Sequence, residues 1–166
     1  MNIMKNYEIS MNTMALVEEY HLEYNTIIYD VNGIYYTKQT VKSLLEEACI
    51  KRFSTYEGRL KPVRKLLDYV QKTPLLICPN QRICAFPITS PQKYGCPWIL
   101  PYHVQSYEMK NGKLIVTFNN GIQLPLNCSL RIFKNQLERT ANCLNYYQRM
   151  MSMLSNSPFD ELSTHL

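Results

Sequence analysis

Three Asn-Gly dipeptides constrain the fold of this 166-residue chain more than any other feature. Asn-Gly accepts the positive φ angles of a type I′ turn, which joins two adjacent antiparallel strands. The dipeptides are Asn32-Gly33, Asn111-Gly112 and Asn120-Gly121, and strand-like segments flank each of them. The second and third are separated by one short apolar segment. Together they predict a β-meander of three consecutive strands.

Other segments have the hydrophobic spacing of helices. Apolar residues recur at helical spacing after Thr40, which suits an N-cap. A second helix is predicted over residues 60–70, where Pro62 suits a first turn. Ser129 suits an N-cap and precedes a third and longer apolar stripe that runs to about Leu154. The sequence therefore predicts an α+β fold. It is a single domain with an antiparallel β-meander core, one or two helices in the first half and a long C-terminal helix packed on the sheet.

Charge is distributed unevenly along the chain. Residues 1–50 contain three basic and seven acidic residues, a net charge of −4, whereas residues 51–166 contain fifteen basic and six acidic residues, a net charge of +9. Such asymmetry indicates a polyanionic partner for the second part, although ordinary solubilising surface charge is the alternative. The basic residues that we predict to contact DNA are Arg59, Lys61, Arg64, Lys65, Arg82, Lys93, Arg131, Lys134 and Arg139.

The cysteines do not form a familiar metal or catalytic signature. Cys78, Cys84, Cys96 and His103 are the nearest candidates, but structural zinc usually has ligand pairs two to four residues apart. A Cys96 nucleophile with His103 as base lacks an acidic orienting residue nearby in sequence. We therefore expect no catalytic residues, no metal and no cofactor. A zinc-stabilised interaction domain and a cysteine hydrolase remain as alternatives.

The first 19 residues contain no apolar run of secretory-signal type, and no apolar stretch approaches the roughly 20 residues that cross a bilayer. We expect a cytoplasmic protein with reduced cysteines and no membrane partner. Thirteen tyrosines could stack on unpaired bases, so an RNA- or single-strand-binding module is another alternative.

A set of short sequence motifs, taken in their order and spacing, identifies a protein family more specifically. The motifs are Tyr56-Glu57-Gly58-Arg59, Asn80 to Pro87, Cys96-Pro97-Trp98-Ile99 with His103, Val116 to Gly121, Leu124-Pro125-Leu126, and the helical residues Ser129, Phe133, Gln136, Arg139 and Thr140. Over roughly residues 26–150, this pattern resembles the ComK family of bacterial competence transcription factors.

The resemblance implies an activator of DNA-uptake genes that binds paired A/T-rich boxes, chiefly through the minor groove. It also implies dimers that associate further, action on RNA polymerase, and control by an adaptor of a Clp protease. We divide the chain into a variable segment over residues 1–25, a DNA-binding domain over 26–154 and a tail over 155–166, whose low apolar content predicts disorder. That short tail lacks the aromatic-proline stretch with which some members bind the adaptor.

Overall fold

The computed structural model describes residues 1–155, and it confirms the α+β class. All but the first residue of the expected tail lies outside the described residues. The strands are β1 (Ile3–Met4), β2 (Thr13–Glu18), β3 (Thr26–Asp30), β4 (Gly33–Thr37), β5 (Leu75–Cys78), β6 (Ile83–Pro87), β7 (Trp98–Ile99), β8 (Val104–Lys110), β9 (Lys113–Phe118) and β10 (Gln123–Leu126). The helices are α1 (Val41–Ile50), α2 (Tyr56–Leu67) and α3 (Leu130–Ser155).

The strands form two sheets. The larger sheet has seven strands in the order β1-β4-β3-β2-β7-β6-β5, and its β1–β4 pair is parallel. The predicted meander is present as a separate three-stranded antiparallel sheet, β10-β9-β8. The larger sheet is continuous because β2 pairs with β3 on one side and with β7 on the other, which joins hairpins that are distant in sequence.

Local turn chemistry explains both hairpins of the meander. Asn111 and Gly112 have φ angles of 52° and 78°, as the predicted type I′ turn requires. In the second hairpin the N–H of Gly121 donates to the Phe118 carbonyl at 2.9 Å, and Gly121 has φ 89°. That arrangement is a turn followed by a left-handed glycine, the usual form of a slightly longer hairpin loop.

The first hairpin forms where we predicted it, but the predicted turn is wrong by one residue. Asp30 pairs with Gly33, so the two central residues of the loop are Val31 and Asn32. The Asn32 N–H donates to the Asp30 side chain at 2.9 Å. This local hydrogen bond stabilises a different loop and leaves Gly33 as the first residue of β4.

Two side-chain caps mark the beginnings of α1 and α2. The predicted N-cap Thr40 is confirmed, because its hydroxyl accepts a backbone N–H of the first turn at 3.1 Å. Helix α2 begins at residue 56, earlier than predicted, since Thr55 caps it by accepting the Gly58 N–H at 2.8 Å. Pro62 therefore lies inside the helix, and its predicted place in the first turn is wrong.

Helix α3 connects the two sheets. Ser129 caps it by accepting a backbone N–H at 3.1 Å, as predicted. The Phe133 ring is fully buried, and its centroid lies 5.5 Å from that of Phe86 in β6 and 4.8 Å from that of Tyr107 in β8. The predicted packing of the C-terminal helix on the sheet is thus confirmed. No helix within residues 1–155 has the length and apolar character needed to cross a membrane.

Candidate nucleic-acid interface

An open groove of about 720 Å³ is lined by residues of α1 and α2, by the connecting segments at residues 70–73 and 88–96, and by Asn127, Cys128 and Ile132 around the start of α3. We call it the basic groove, because the cations that line it are Lys42, Arg64, Lys72 and Lys93. The other polar side chains in its wall include Gln71, Thr73, Thr89, Ser90, Gln92 and Asn127. A surface with these groups can bind phosphate oxygens through charge and can also hydrogen-bond to a ligand.

Both acidic residues of the groove have partners within the protein. The Glu57 carboxylate lies 3.2 Å from Nη1 of Arg64. The Glu18 carboxylate accepts the N–H of Gly95 at 2.9 Å. Because Lys42, Lys72 and Lys93 form no ion pair within residues 1–155, the groove keeps an excess of positive charge.

Three of the four groove cations come from α1, from α2 and from the loop before β7. Lys42 is exposed in the first turn of α1. Arg64 extends from α2, where its Nε also donates to the Thr73 hydroxyl at 3.4 Å. Lys93 is exposed in the loop before β7, and its N–H donates to the Ser90 carbonyl at 3.0 Å. The fold therefore brings together residues that are separated by up to 51 positions.

Lys72 has an unusual backbone. It has a φ angle of 48°, in the left-handed region that β-carbon-bearing residues rarely adopt. Its carbonyl accepts hydrogen bonds from two α3 side chains, Nε2 of Gln136 at 2.9 Å and Nη1 of Arg139 at 3.4 Å. Helix α3 therefore stabilises this part of the groove wall through hydrogen bonds to the Lys72 carbonyl.

Two further cations lie at the rim of the basic groove. Nζ of Lys113 donates to the side-chain oxygen of Asn127 at 2.6 Å, and Asn127 lines the groove. Arg131 is exposed and precedes Ile132, which also lines the groove. The positive surface thus continues from the groove onto the start of α3.

The structure does not bring all nine predicted DNA-contacting residues into one place. Arg64 and Lys93 line the basic groove, and Arg131 lies at its rim. Four other predicted residues are exposed but do not line the groove: Lys61, Lys65, Arg82 and Lys134. The remaining two, Arg59 and Arg139, have contacts inside the protein.

Arg59, predicted to contact DNA, lies within α2 and is not freely exposed. Gly58 lies within α2, and Arg59 is half-buried between the two first helices. Its Nη2 donates to the carbonyl of Arg52 at 3.3 Å, just after the end of α1. A cation at that position is favourable for the helix dipole of α1, so Arg59 stabilises the α1–α2 corner.

Arg139 uses its guanidinium to hold the segment before β5. Nη2 donates to the Gln71 carbonyl at 2.8 Å, and Nη1 donates to Oε1 of Gln136 at 2.8 Å. The guanidinium carbon also lies 4.5 Å from the centroid of the Tyr69 ring. Burial lowers the pKa of Arg139 from its ordinary value.

The cysteines give no sign of metal binding or catalysis. Within residues 1–155 no three His, Cys, Asp or Glu side chains are grouped so that they could hold a metal ion. Cys96 is buried, which raises the pKa of its thiol, and its Sγ lies 3.4 Å from the Thr89 carbonyl. Nε2 of His103 lies 2.5 Å from a different partner, the Met11 carbonyl. A buried thiol with a raised pKa is a poor nucleophile.

Lys42 and Lys72 belong to the basic groove but were not among the predicted residues. Lys42 lies in the acidic first part of the chain, so the net charge of that segment gives no indication that Lys42 belongs to a basic surface. Lys72 could have been suspected from its position in the short polar connection between the second helix and the next strand.

Comparison with known proteins identifies relatives of the chain. The family model described as ComK protein matches residues 4–152 and so includes β2, which precedes the resemblance noted in the sequence. A curated relative is the competence transcription factor of Bacillus subtilis (strain 168). The two are 27% identical over 140 residues, which cover 83% of this chain and 73% of that protein. No solved structure matches the chain.

Proposed function

This chain belongs to the ComK family, and on that basis we propose that it is a transcription activator of competence genes that binds A/T-rich DNA. Its curated relative is named a competence transcription factor. We propose further that DNA lies along the basic groove. The observation that carries this location is the convergence of four cations from separate segments on one open surface.

The charge of the groove suits a phosphate backbone. Each lysine or arginine that meets a phosphate releases condensed counterions, which supplies much of the affinity of DNA-binding proteins. Lys42, Lys72 and Lys93 are available for such contacts, because no ion pair within residues 1–155 engages them. Arg131 and Lys113 at the rim would extend the contact along the duplex.

We propose contact chiefly through the minor groove. The narrow minor groove of A-tracts has an enhanced negative potential that attracts arginine and lysine side chains. Proteins that read this groove also use asparagine and glutamine, which can distinguish A·T from G·C pairs. Gln71, Gln92 and Asn127 line the basic groove among its cations and could serve this purpose.

The family also leads us to propose partners besides DNA. They are a second copy of the chain, with further association of dimers, RNA polymerase, and an adaptor of a Clp protease. A protein of this kind works in the cytoplasm and performs no catalysis.

A single-stranded nucleic acid is the second candidate ligand. Tyr20 and Tyr94 are 92% and 66% exposed, and their ring centroids lie 6.5 Å apart. Tyr94 is the neighbour of Lys93, so an exposed aromatic surface adjoins the basic groove. Bases could stack there. Tighter binding of a single strand than of the matching A/T duplex would favour this candidate.

The test is a salt titration of binding to a duplex with two A/T-rich tracts. Lys42→Ala and Lys93→Ala should each reduce the slope of log K against log salt by about 0.9, since each removes one phosphate contact. Lys110→Ala is the matched control, because Lys110 is exposed but does not line the groove. Equal slopes for all three variants and the parent would place DNA elsewhere.

Whether the protein contacts the minor or the major groove of DNA is tested separately. Distamycin, which occupies the A/T minor groove, should compete with the protein, whereas methyl groups placed in the major groove should have little effect. The opposite result would reject the minor-groove proposal and leave the basic groove as a DNA site.

A further inference from the structure

Lys72 combines two features that require an explanation. It is one of the residues that line the basic groove, and its backbone is left-handed, with φ 48°. A residue with a β-carbon persists in this conformation only when its surroundings determine it, and such residues concentrate at functional sites. The contacts around the Lys72 carbonyl are therefore informative.

Two side chains of α3 hold this segment together. Gln136, which is only 1% exposed, donates from Nε2 to the carbonyls of Lys72 at 2.9 Å and of Pro87 at 2.7 Å. Arg139 donates to the carbonyls of Gln71 at 2.8 Å and of Lys72 at 3.4 Å. The two side chains also bond to each other, since Oε1 of Gln136 accepts from Nη1 of Arg139 at 2.8 Å.

We propose that Gln136 and Arg139 are positioning residues, which hold Lys72 so that its ammonium group meets a DNA phosphate in the basic groove. Arg139, on this proposal, acts through Lys72 and does not touch DNA. The proposal rests on the function proposed above. It distinguishes Lys72, which contacts phosphate, from Arg139, which positions Lys72, although the two side chains have the same charge.

The chemistry of this site requires arginine. The guanidinium presents several N–H groups in a fixed plane, so one side chain can reach two carbonyls and the Gln136 oxygen together. The same plane covers the Tyr69 ring, with 4.5 Å between the guanidinium carbon and the ring centroid. Lysine would preserve the charge but not this geometry.

The experiment uses Arg139→Lys, Lys72→Ala and the double variant in the full chain. Arg149→Lys is the matched control, because Arg149 is an exposed arginine on the same helix that makes no hydrogen bond to residues 69–73. Affinity for the duplex with two A/T-rich tracts is measured from about 50 to 200 mM salt. Hydrogen exchange of residues 71–73 is measured without DNA.

Lys72→Ala should make the salt-induced loss of affinity about 3.5-fold smaller over this fourfold salt range, as the removal of one phosphate contact implies. Arg139→Lys should weaken binding to a similar extent, although the charge is unchanged, and should speed the hydrogen exchange of residues 71–73. The double variant should bind no more weakly than Lys72→Ala, because both changes remove the same contact. Arg149→Lys should bind like the parent.

Two results would overturn the positioning role while the basic groove stands. One is parental binding by Arg139→Lys together with weakened binding by Lys72→Ala. The other is additive losses in the double variant, which would make Arg139 an independent contact. Parental binding by Lys72→Ala, Lys42→Ala and Lys93→Ala would instead remove DNA from the groove and reject both proposals. If Arg139→Lys is unfolded, Tyr69→Leu takes its place, with smaller changes expected in the same directions, because it removes the ring beside the guanidinium but keeps the hydrogen bonds to the carbonyls.

Discussion

Replacement of Phe133 by alanine tests how α3 is attached to the two sheets. Burial of the ring contributes about 1.5–3 kcal/mol. The aromatic pairs with Phe86 and Tyr107, at centroid distances of 5.5 and 4.8 Å, add about 0.5–1.5 kcal/mol each. We therefore expect Phe133→Ala to lower the free energy of unfolding by about 3–5 kcal/mol, the usual range for a buried phenylalanine.

Urea denaturation followed by tryptophan fluorescence provides the measurement. Trp98 is the single tryptophan, is 3% exposed, and belongs to the apolar cluster of the large sheet with α1 and α2. Phe133 belongs to a different cluster, so the substitution should not disturb the fluorophore directly. Lys134→Ala, at an exposed position of the same helix, should change the unfolding free energy by less than about 0.5 kcal/mol.

A loss below about 1 kcal/mol for Phe133→Ala would contradict this account. It would mean that the apolar stripe of α3 is a surface, available for contact with another molecule. A transition seen by fluorescence but not matched by circular dichroism would show instead that α3 unfolds separately from the large sheet.

Other predictions concern thiols, turns and caps. Burial raises the pKa of the Cys84 thiol from 9.0 to about 12. The neutral thiol is therefore compatible with the folded state below pH 9, and the stability that it contributes is lost as the pH rises toward 12. Unfolding free energy measured by urea should therefore fall above about pH 9, and less steeply in Cys84→Ala. Asn111→Ala should cost about 1–2 kcal/mol in the same assay, because alanine resists the left-handed φ of 52°; an unchanged midpoint would reject the type I′ turn. Thr55→Ala should cost about 1 kcal/mol as a lost cap. Gly58→Ala should destabilise less in the Thr55→Ala background than in the parent, since its new Cβ would lie 2.8 Å from the Thr55 hydroxyl, whereas the Ser54 hydroxyl at 3.0 Å is present in both; equal effects in both backgrounds would contradict this.

Turn and cap chemistry was predictable wherever the deciding interactions are local. Asn111 and Gly112 occupy the two left-handed positions that a two-residue hairpin demands, and this is visible in the sequence. Asn32 illustrates the limit, because a hydrogen bond to the Asp30 side chain shifts the turn by one residue. The seven-stranded sheet depends on pairing between β2 and β7, whose partners are more than 80 residues apart, and no local pattern encodes that pairing.

The candidate site was only partly predictable for a similar reason. Sequence identifies which residues are cations, but not which cations have their donors occupied by backbone carbonyls. Arg139 and Arg59 illustrate this, since both donate to main-chain oxygens inside the protein. Lys42 was missed because its relevance arises only when α1 folds beside residues from the second half of the chain.

The wall of the basic groove is assembled from segments between residues 18 and 132, and no single segment contains most of it. The groove therefore exists only while the whole fold is intact. Unfolding of the protein should accordingly release the ligand in the same cooperative transition. A ligand present at 100 times its Kd would raise the unfolding free energy by about 2.7 kcal/mol. Short fragments of the chain, even the most basic ones, should lack this site. If DNA binds in the groove as proposed, a substitution that leaves a large fraction of the protein unfolded should also lower the occupancy of DNA, even when it lies far from the groove.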